Sequence, residues 1–291
     1  MKTTVKAHAK INLTLDIVGK RDDDYHLLET VMQSVSLCDT VTVSLDNSGK
    51  ISVSTSDDAI ADDETNIAWK AAKAFFDCTG IKNSGVDIRI KKHIPSQAGM
   101  AGGSADGAAV IVALNELCSA DFSDEQLWDI GETVGADVPF CITGGTMMVR
   151  GIGNILQPLP DLADCFIVIA KPDCNVSTGK AYAAVDNYSG VIIHPQTEDI
   201  CEEICAEDIP AVAKRVCNVF EQALELEEPL EIKRFMLDSG ALGACMTGSG
   251  SAVFGIFDDE DDAEKCCDML EKKYDDVFLT HPCSCGCEID D

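Results

Sequence analysis

Residues 95–109, PSQAGMAGGSADGAA, gather Pro95, Gly99, Ala101, Gly102, Gly103 and Ser104 into one short loop ahead of an apolar, helix-like stretch. Small residues let the backbone come close to a ligand. A loop that feeds a helix start aims several N–H groups at one point, which suits an anion such as phosphate. The nucleotide-loop pattern G-x-x-x-x-G-K-[ST] is not met, since no lysine precedes Ser104 and Ala105 follows it. G-x-G-x-x-G is not met either, so the dinucleotide signature is missing. Taken alone, the loop fits both a phosphate cradle and a tight strand-to-helix turn.

The elements that must position this loop follow from periodicity. Residues 85–94, GVDIRIKKHI, put Val86, Ile88 and Ile90 on one strand face, and residues 105–118 form an apolar helix starting near Ser104. Upstream, residues 5–18 alternate as a strand, and 39–45 and 50–56 give two more strands separated by the turn-like DNSG. Residues 64–80 show helical spacing of Ile67, Ala71, Ala74, Phe75 and Cys78, with Gly80 suited to the end. Ser123 and Gln126 form a capping box for a helix over 123–135, and 135–154 is loop-rich. Beyond residue 160 come a buried strand at 165–172, helices around 178–186, 209–225 and 230–239, a hairpin over 243–257, a helix over 261–274 and a strand at 276–280. Strands and helices alternate irregularly, which predicts an α+β fold, divided into domains 1–160 and 161–291.

Lys and Arg number 22 against 51 Asp and Glu, a formal net charge of −29. Nucleic-acid binding depends on neutralising phosphates with cations, so this balance argues against it, and an anionic membrane surface would repel the chain as well. The acidic clusters at 197–208 and 258–262 are expected to be solvated surface. The opening MKTTVKAHAKINL has no apolar run or cleavage site, and most of the 15 cysteines sit singly in apolar patterns. A reducing cytoplasm is the expected setting. Cys283, Cys285 and Cys287 alternate in the tail, with His281 nearby and Cys266–Cys267 upstream, but this spacing matches no zinc pattern, and no metal ligand is assigned.

AKIN at 9–12, DYH at 24–26, GADVP at 135–139 and TGSGS at 247–251 occur in this order around the glycine loop. Together they resemble the GHMP small-molecule kinases, named for galactokinase, homoserine kinase, mevalonate kinase and phosphomevalonate kinase. The resemblance runs from about residue 5 to 280, and AKIN, DYH and GADVP point within the family to a kinase acting on a cytidyl sugar alcohol. It implies ATP-dependent phosphorylation of that alcohol's 2-hydroxyl in non-mevalonate isoprenoid synthesis. It also implies a glycine-loop N-terminal domain and a ferredoxin-like C-terminal domain, in a monomer or weak homodimer.

The site residues carry over position by position. Asp137 matches the family's catalytic aspartate and Lys10 its partner at the acceptor hydroxyl; a base and a cation there suit phosphoryl transfer to an alcohol. Read alone, Asp137 would cap the next turn, and Lys10 would be a solvated edge lysine. Ser104 and the N–H groups of 99–104 would hold the ATP phosphates, with Mg²⁺ riding mainly on them; Pro95, Gly99, Ala101, Gly102 and Gly103 count with Ser104 as cofactor-binding, and Asn66 and Lys92 fall near the family's adenine site. Tyr25 and Tyr182 fall where the family sandwiches cytosine, His26 where it hydrogen-bonds the base, and Asn12 where it positions substrate. Read alone, the tyrosines are core or rim packing and Asn12 a strand-face polar group. Thr178, Gly248 and Ser249 belong to the segments expected to close on substrate. Three positions depart from the pattern: His8 replaces the usual Pro, Asp24 a Gly, and Gly107 an Ala.

Overall fold

The computed structural model describes residues 1–290, and two long strands carry its first half. β1 (Lys2–Lys20) and β2 (His26–Leu45) pair antiparallel from Lys2↔Ser44 to Lys20↔His26. Asp24, in the turn between them, takes φ 67°, a left-handed conformation that aspartate tolerates where glycine would be usual. Along β1, apolar Ala7, Ala9 and Ile11 alternate with His8, Lys10 and Asn12, and both sets are buried. Alternate residues point to opposite faces, so β1 offers a polar row to whatever covers its second face.

β3 (Ile51–Thr55) follows β2 through the expected turn, yet the two do not pair. β4 (Val86–Lys91) lies between them, antiparallel to β2 and parallel to β3. Val86, Ile88 and Ile90 of β4 are buried, whereas β3 buries only Val53, so the less apolar strand takes the edge. The crossover between β3 and β4 is α1 (Ile67–Thr79). Asn66 caps it by accepting from the Ala68 N–H, and Gly80 ends it at φ 70°. α2 (Gly102–Leu117) begins two residues before Ser104, and α3 (Asp124–Glu132) follows, with Gln126 Oε1 accepting the Ser123 N–H at 2.9 Å.

Residues 135–154 are more regular than their composition suggested. They carry α4 (Val138–Thr143) and β5 (Thr146–Gly151), which pairs with β2 and then with β6 (Ile155–Pro158). Pro139 suits the first turn of a helix, and Val138, Phe140, Cys141 and Ile142 are buried, so packing overrides the loop-like glycines.

The second sheet begins at β7 (Phe166–Lys171). α5 (Thr178–Asn187), α6 (Thr197–Cys205) and α7 (Ile209–Arg215) follow. α6 lies in the acidic stretch expected to be plain surface; its Ile200 and Ile204 are buried beneath an acidic outer face. The helix expected over 209–225 breaks after α7 at β8 (Cys217–Asn218), which pairs with β1, and resumes as α8 (Val219–Leu224). α9 (Glu227–Asp238), β9 (Gly243–Met246), β10 (Val253–Phe257), α10 (Glu260–Leu270) and β11 (Asp276–Thr280) complete the module. The sheet order is β11-β7-β10-β9, all antiparallel, with β9 and β10 forming the expected hairpin. In chain order that is fourth, first, third, second, the ferredoxin-like arrangement. The chain then returns to the first sheet, where β12 (Cys287–Asp290) pairs with β1. The observed class is α+β.

Gly107 has a packing reason. A Cβ there would lie 2.9 Å from Ile67 Cγ2, a stiff β-branched methyl where α1 crosses α2. Helix propensity favours alanine by about 1 kcal/mol, but overpacking costs about 1–3 kcal/mol. Gly107→Ala should therefore lower the melting temperature, whereas the same change in an Ile67→Ala background should be neutral or stabilising. A more stable Gly107→Ala single variant would show that the helices part easily.

Candidate active site

The glycine loop and the TGSGS loop meet backbone to backbone. Gly99 takes φ 77° and Gly248 φ 55°. A Cβ on Gly99 would lie 2.2 Å from the Thr247 carbonyl oxygen, and one on Gly248 would lie 2.6 Å from the Gly99 carbonyl oxygen. Only glycine allows both the approach and the backbone conformation. Of the other two glycines, neither Gly102 nor Gly103 has positive φ; the left-handed residue at the helix entrance is Ala101, at φ 59°. Gly102, Gly103 and Ser104 form the first turn of α2, whose N–H groups have no intrahelical acceptor. This turn opens into a cavity of about 730 Å³ lined by both loops.

Lys10, Asn12 and Asp137 line the same cavity. Lys10 is 4% exposed, and its Nζ donates to Asn12 Oδ1 at 2.7 Å and to the Gly99 carbonyl at 3.0 Å. It is therefore not a solvated edge lysine. Among the described residues it makes no ion pair with Asp137. Asp137 stands at the N-cap position of α4 without a side-chain capping bond, so the simple capping account does not hold. Asn12 is fully buried and spends its amide mostly on protein. Oδ1 also accepts the Gly248 N–H at 3.0 Å, and Nδ2 donates to Thr30 Oγ1 at 2.8 Å. The expected substrate amide is a junction between Lys10, β2 and the second loop.

On the side of the α2 turn, Asn66 and Pro95 line the cavity, and Asn66 caps α1. Lys92 also lines it, but its ammonium is held by Asp39 at 2.5 Å and Asp106 at 2.6 Å, all three side chains being almost fully buried. Sequence reading passed over both acids. Nothing local marks Asp39 as the partner of a lysine 53 positions away. Burial works against the Lys92 charge, yet Asp106 and Asp39 outweigh it and raise its pKa. Asp106 is pushed up to about 7, first by burial, with Lys92 pulling down and Asp39 pushing up.

At the far side of the cavity Tyr182 and Phe220 line the wall, Phe220 edge-on to Tyr182 at 5.0 Å; His26 is not part of the lining and stacks on Tyr182 with ring centroids 4.5 Å apart and planes 20° apart. His26 Nε2 lies 2.7 Å from Asp186 Oδ1, a partner also missed from sequence. Burial first, then the Asp137 charge, pushes the Tyr182 hydroxyl up to about 12, so it stays a hydrogen-bond donor. Tyr25 is placed differently from its expected sandwich. It is 63% exposed and outside the cavity wall, because it follows the left-handed Asp24 at the outward tip of the β1–β2 turn. Thr178 and Ser249 face each other across the cavity mouth, their hydroxyls 3.4 Å apart, and Gly248 lines the wall beside them.

The GHMP kinases N terminal domain family matches residues 66–145, and the GHMP kinases C terminal family matches 200–276. A 4-diphosphocytidyl-2-C-methyl-D-erythritol kinase of Clostridium novyi is 42% identical over 277 residues, covering 94% of this chain and 98% of that protein. One of Clostridium perfringens is 42% identical over 280 residues, covering 95% and 96%. The chain belongs to the 4-diphosphocytidyl-2-C-methyl-D-erythritol kinase family of the GHMP kinases. As a member of this kinase family it is an ATP-dependent small-molecule kinase. A crystal structure of 4-(cytidine 5'-diphospho)-2C-methyl-D-erythritol kinase superposes with TM-score 0.79 at 30% identity, covering 97% of this chain and 99% of that one. Homoserine kinase from Cytophaga hutchinsonii superposes with TM-score 0.79 at 20% identity, covering 99% and 97%, which shows a shared fold.

Within this family member, the buried Lys92 cluster makes stability depend on pH. The Asp106 carboxyl has a reference pKa of 3.8 and in the fold titrates near 7. Between these values the folded state binds the extra proton, so this group's contribution is full below about pH 4 and is lost as pH rises toward about 7. The unfolding free energy of the wild type relative to Asp106→Asn should fall across that window and then level off. A difference independent of pH in denaturant titrations would mean that Asp106 ionises normally.

Proposed function

We propose that this chain transfers the γ-phosphoryl group of ATP to the 2-hydroxyl of 4-diphosphocytidyl-2-C-methyl-D-erythritol. The observation that carries this reading is one continuous cavity joining the α2 turn to Tyr182, on which His26 stacks, with Asp137 and Lys10 on its wall. The free N–H groups of the α2 turn bind the triphosphate, and Asn66 and Pro95 bound the region around it. Tyr182 receives the cytosine ring, His26, its Nε2 held by Asp186, offers Nδ1 to the base edge, and Tyr25 swings in from the exposed turn. Thr178, Gly248 and Ser249 close over the acceptor. Asp137 accepts the proton as the hydroxyl attacks the γ-phosphorus, and the Lys10 ammonium stabilises the negative charge developing on that oxygen. Asn12 positions Lys10 rather than substrate.

Mg²⁺ would ride mainly on the phosphates and neutralise their charge. Asp106 fits a cation nearby: it lines the cavity, and its buried Oδ1 has no hydrogen-bond partner among the described residues. Lys92 already carries two carboxylates and contributes no free positive charge to ATP. We further place the enzyme in the cytoplasm, as a monomer or weak homodimer; among the described residues no helix is long and apolar enough to cross a membrane.

Purified protein with Mg·ATP should phosphorylate the cytidyl sugar alcohol, followed by direct detection of the product, and leave homoserine and mevalonate unchanged. Turnover of either of those without the cytidyl compound would overturn the acceptor assignment. Asp137→Asn should lower kcat by roughly 10²–10⁴, and Lys10→Met by a similar order, while ATP still raises the melting temperature of both. Wild-type kcat in a folded Asp137→Asn variant would remove Asp137 from the role of base.

Tyr182→Ala should weaken acceptor binding by about 1–3 kcal/mol, the usual worth of base–aromatic stacking, with ATP affinity unchanged. Equal losses for both ligands in calorimetry would mean that Tyr182 supports the fold instead.

A further inference from the structure

The tail cysteines do not stand alone. Cys283 and Cys285 are brought against His8 of β1, from the opposite end of the chain, and one donor atom from each lies within 4.8 Å of the other two. The two sulfurs are 3.7 Å apart and unbonded. With Zn–S bonds of about 2.3 Å, two thiolates on a tetrahedral ion sit about 3.8 Å apart. The observed spacing is that of a tetrahedron edge.

His8 is 5% exposed. Its Nδ1 faces the Val35 carbonyl at 3.2 Å, which favours the proton on that nitrogen and leaves Nε2 with a bare lone pair. Nε2 has no hydrogen-bond partner among the described residues, an unfavourable state for a buried ring nitrogen. Glu288 stands beside this three-donor cluster, with Oε1 on Lys6 Nζ at 3.3 Å and Oε2 3.8 Å from Nε2, from where a small approach would supply a fourth donor. The frame holding these groups is built in. The His8 N–H donates to the Gly286 carbonyl at 2.9 Å, and the Cys283 N–H to the Ser34 carbonyl at 2.8 Å. Gly286 is seated so closely on α4 that a Cβ would lie 2.1 Å from the Cys141 carbonyl oxygen.

We propose that His8, Cys283 and Cys285, with Glu288 as fourth donor, form a structural Zn²⁺ site that fastens the C-terminal tail to β1. Two thiolates and an imidazole select a thiophilic ion over Mg²⁺, and the carboxylate favours Zn²⁺ over monovalent copper. Binding releases the thiol protons and any proton on Nε2 to solvent, with no redox step. The site stands apart from the phosphoryl-transfer cavity, whose wall includes none of these four residues.

The test is a titration of reduced, metal-free protein with Co²⁺ as an optical probe, followed by displacement with Zn²⁺. One equivalent per chain should bind, giving thiolate-to-cobalt charge-transfer absorption and tetrahedral ligand-field bands, and Zn²⁺ should erase them. Cys283→Ser, Cys285→Ser and His8→Gln should each weaken binding by more than about 100-fold, beyond the usual cost of losing a supporting contact. Cys174→Ser should leave it unchanged. Zn²⁺ should raise the melting temperature of the wild type and of Cys174→Ser, and not of Cys283→Ser or Cys285→Ser, both of whose side chains are only half-buried in the apo fold. Undiminished cobalt absorption in Cys285→Ser would overturn the proposal. So would failure of the fully reduced wild type to bind either metal.

Discussion

Asn12 has no exposed surface, and its side-chain oxygen accepts at once from the Lys10 ammonium and the Gly248 amide. Its nitrogen holds Thr30 on β2, and its backbone N–H reaches Thr247 Oγ1 at 3.0 Å. One buried amide therefore ties the first sheet to the loop of the second module and fixes the head of the lysine between them. The contact between Gly99 and Gly248 depends on the same junction, because two backbones meeting without side chains have little to hold them in register. A polar group buried with all but one of its bonds made is rigid, and an unmade bond there would cost about 1–3 kcal/mol. The cavity walls inherit that rigidity.

Charge follows the same economy. A chain with formal net charge −29 acting on two anionic substrates needs local positive potential. Lys92, in the wall closest to the α2 turn, does not supply it, because Asp39 and Asp106 already surround the ammonium. What remains is Lys10 and the free N–H groups at the start of α2, whose partial charges are fixed in direction and involve no flexible side chain. The Lys92 cluster serves instead to brace the loop: Asp39 Oδ1 accepts the His93 and Ile94 N–H groups at 2.5 and 2.9 Å, just before the loop begins.

The last strand extends this bracing to the far end of the chain. β12 pairs with Thr4–Ala7 of β1, just before the row of His8, Lys10 and Asn12, and the Gly286 N–H donates to the Thr143 carbonyl at the end of α4, the helix that starts from Asp137. Tail, β1 and the Asp137 helix thus share one hydrogen-bonded frame.

Short-range chemistry was legible from the sequence alone. Alternation marked β1 and β4, helical spacing between Asn66 and Gly80 marked α1, and the glycine loop with its four companion motifs carried the family and fifteen residues that the cavity gathers. These signals survive because periodicity, caps and turns are decided by neighbours a few positions apart. Tertiary structure decided everything that depends on distant partners. It placed β4 rather than β3 beside β2, paired Lys92 with Asp39 and Asp106, made Asn12 a junction in the cavity wall, left Tyr25 and His26 outside that wall, and set His8 against Cys283 and Cys285. In each case the deciding quantity is burial: a strand's rank in a sheet, a lysine's charge or a histidine's free lone pair has no fixed consequence until the fold removes water from it.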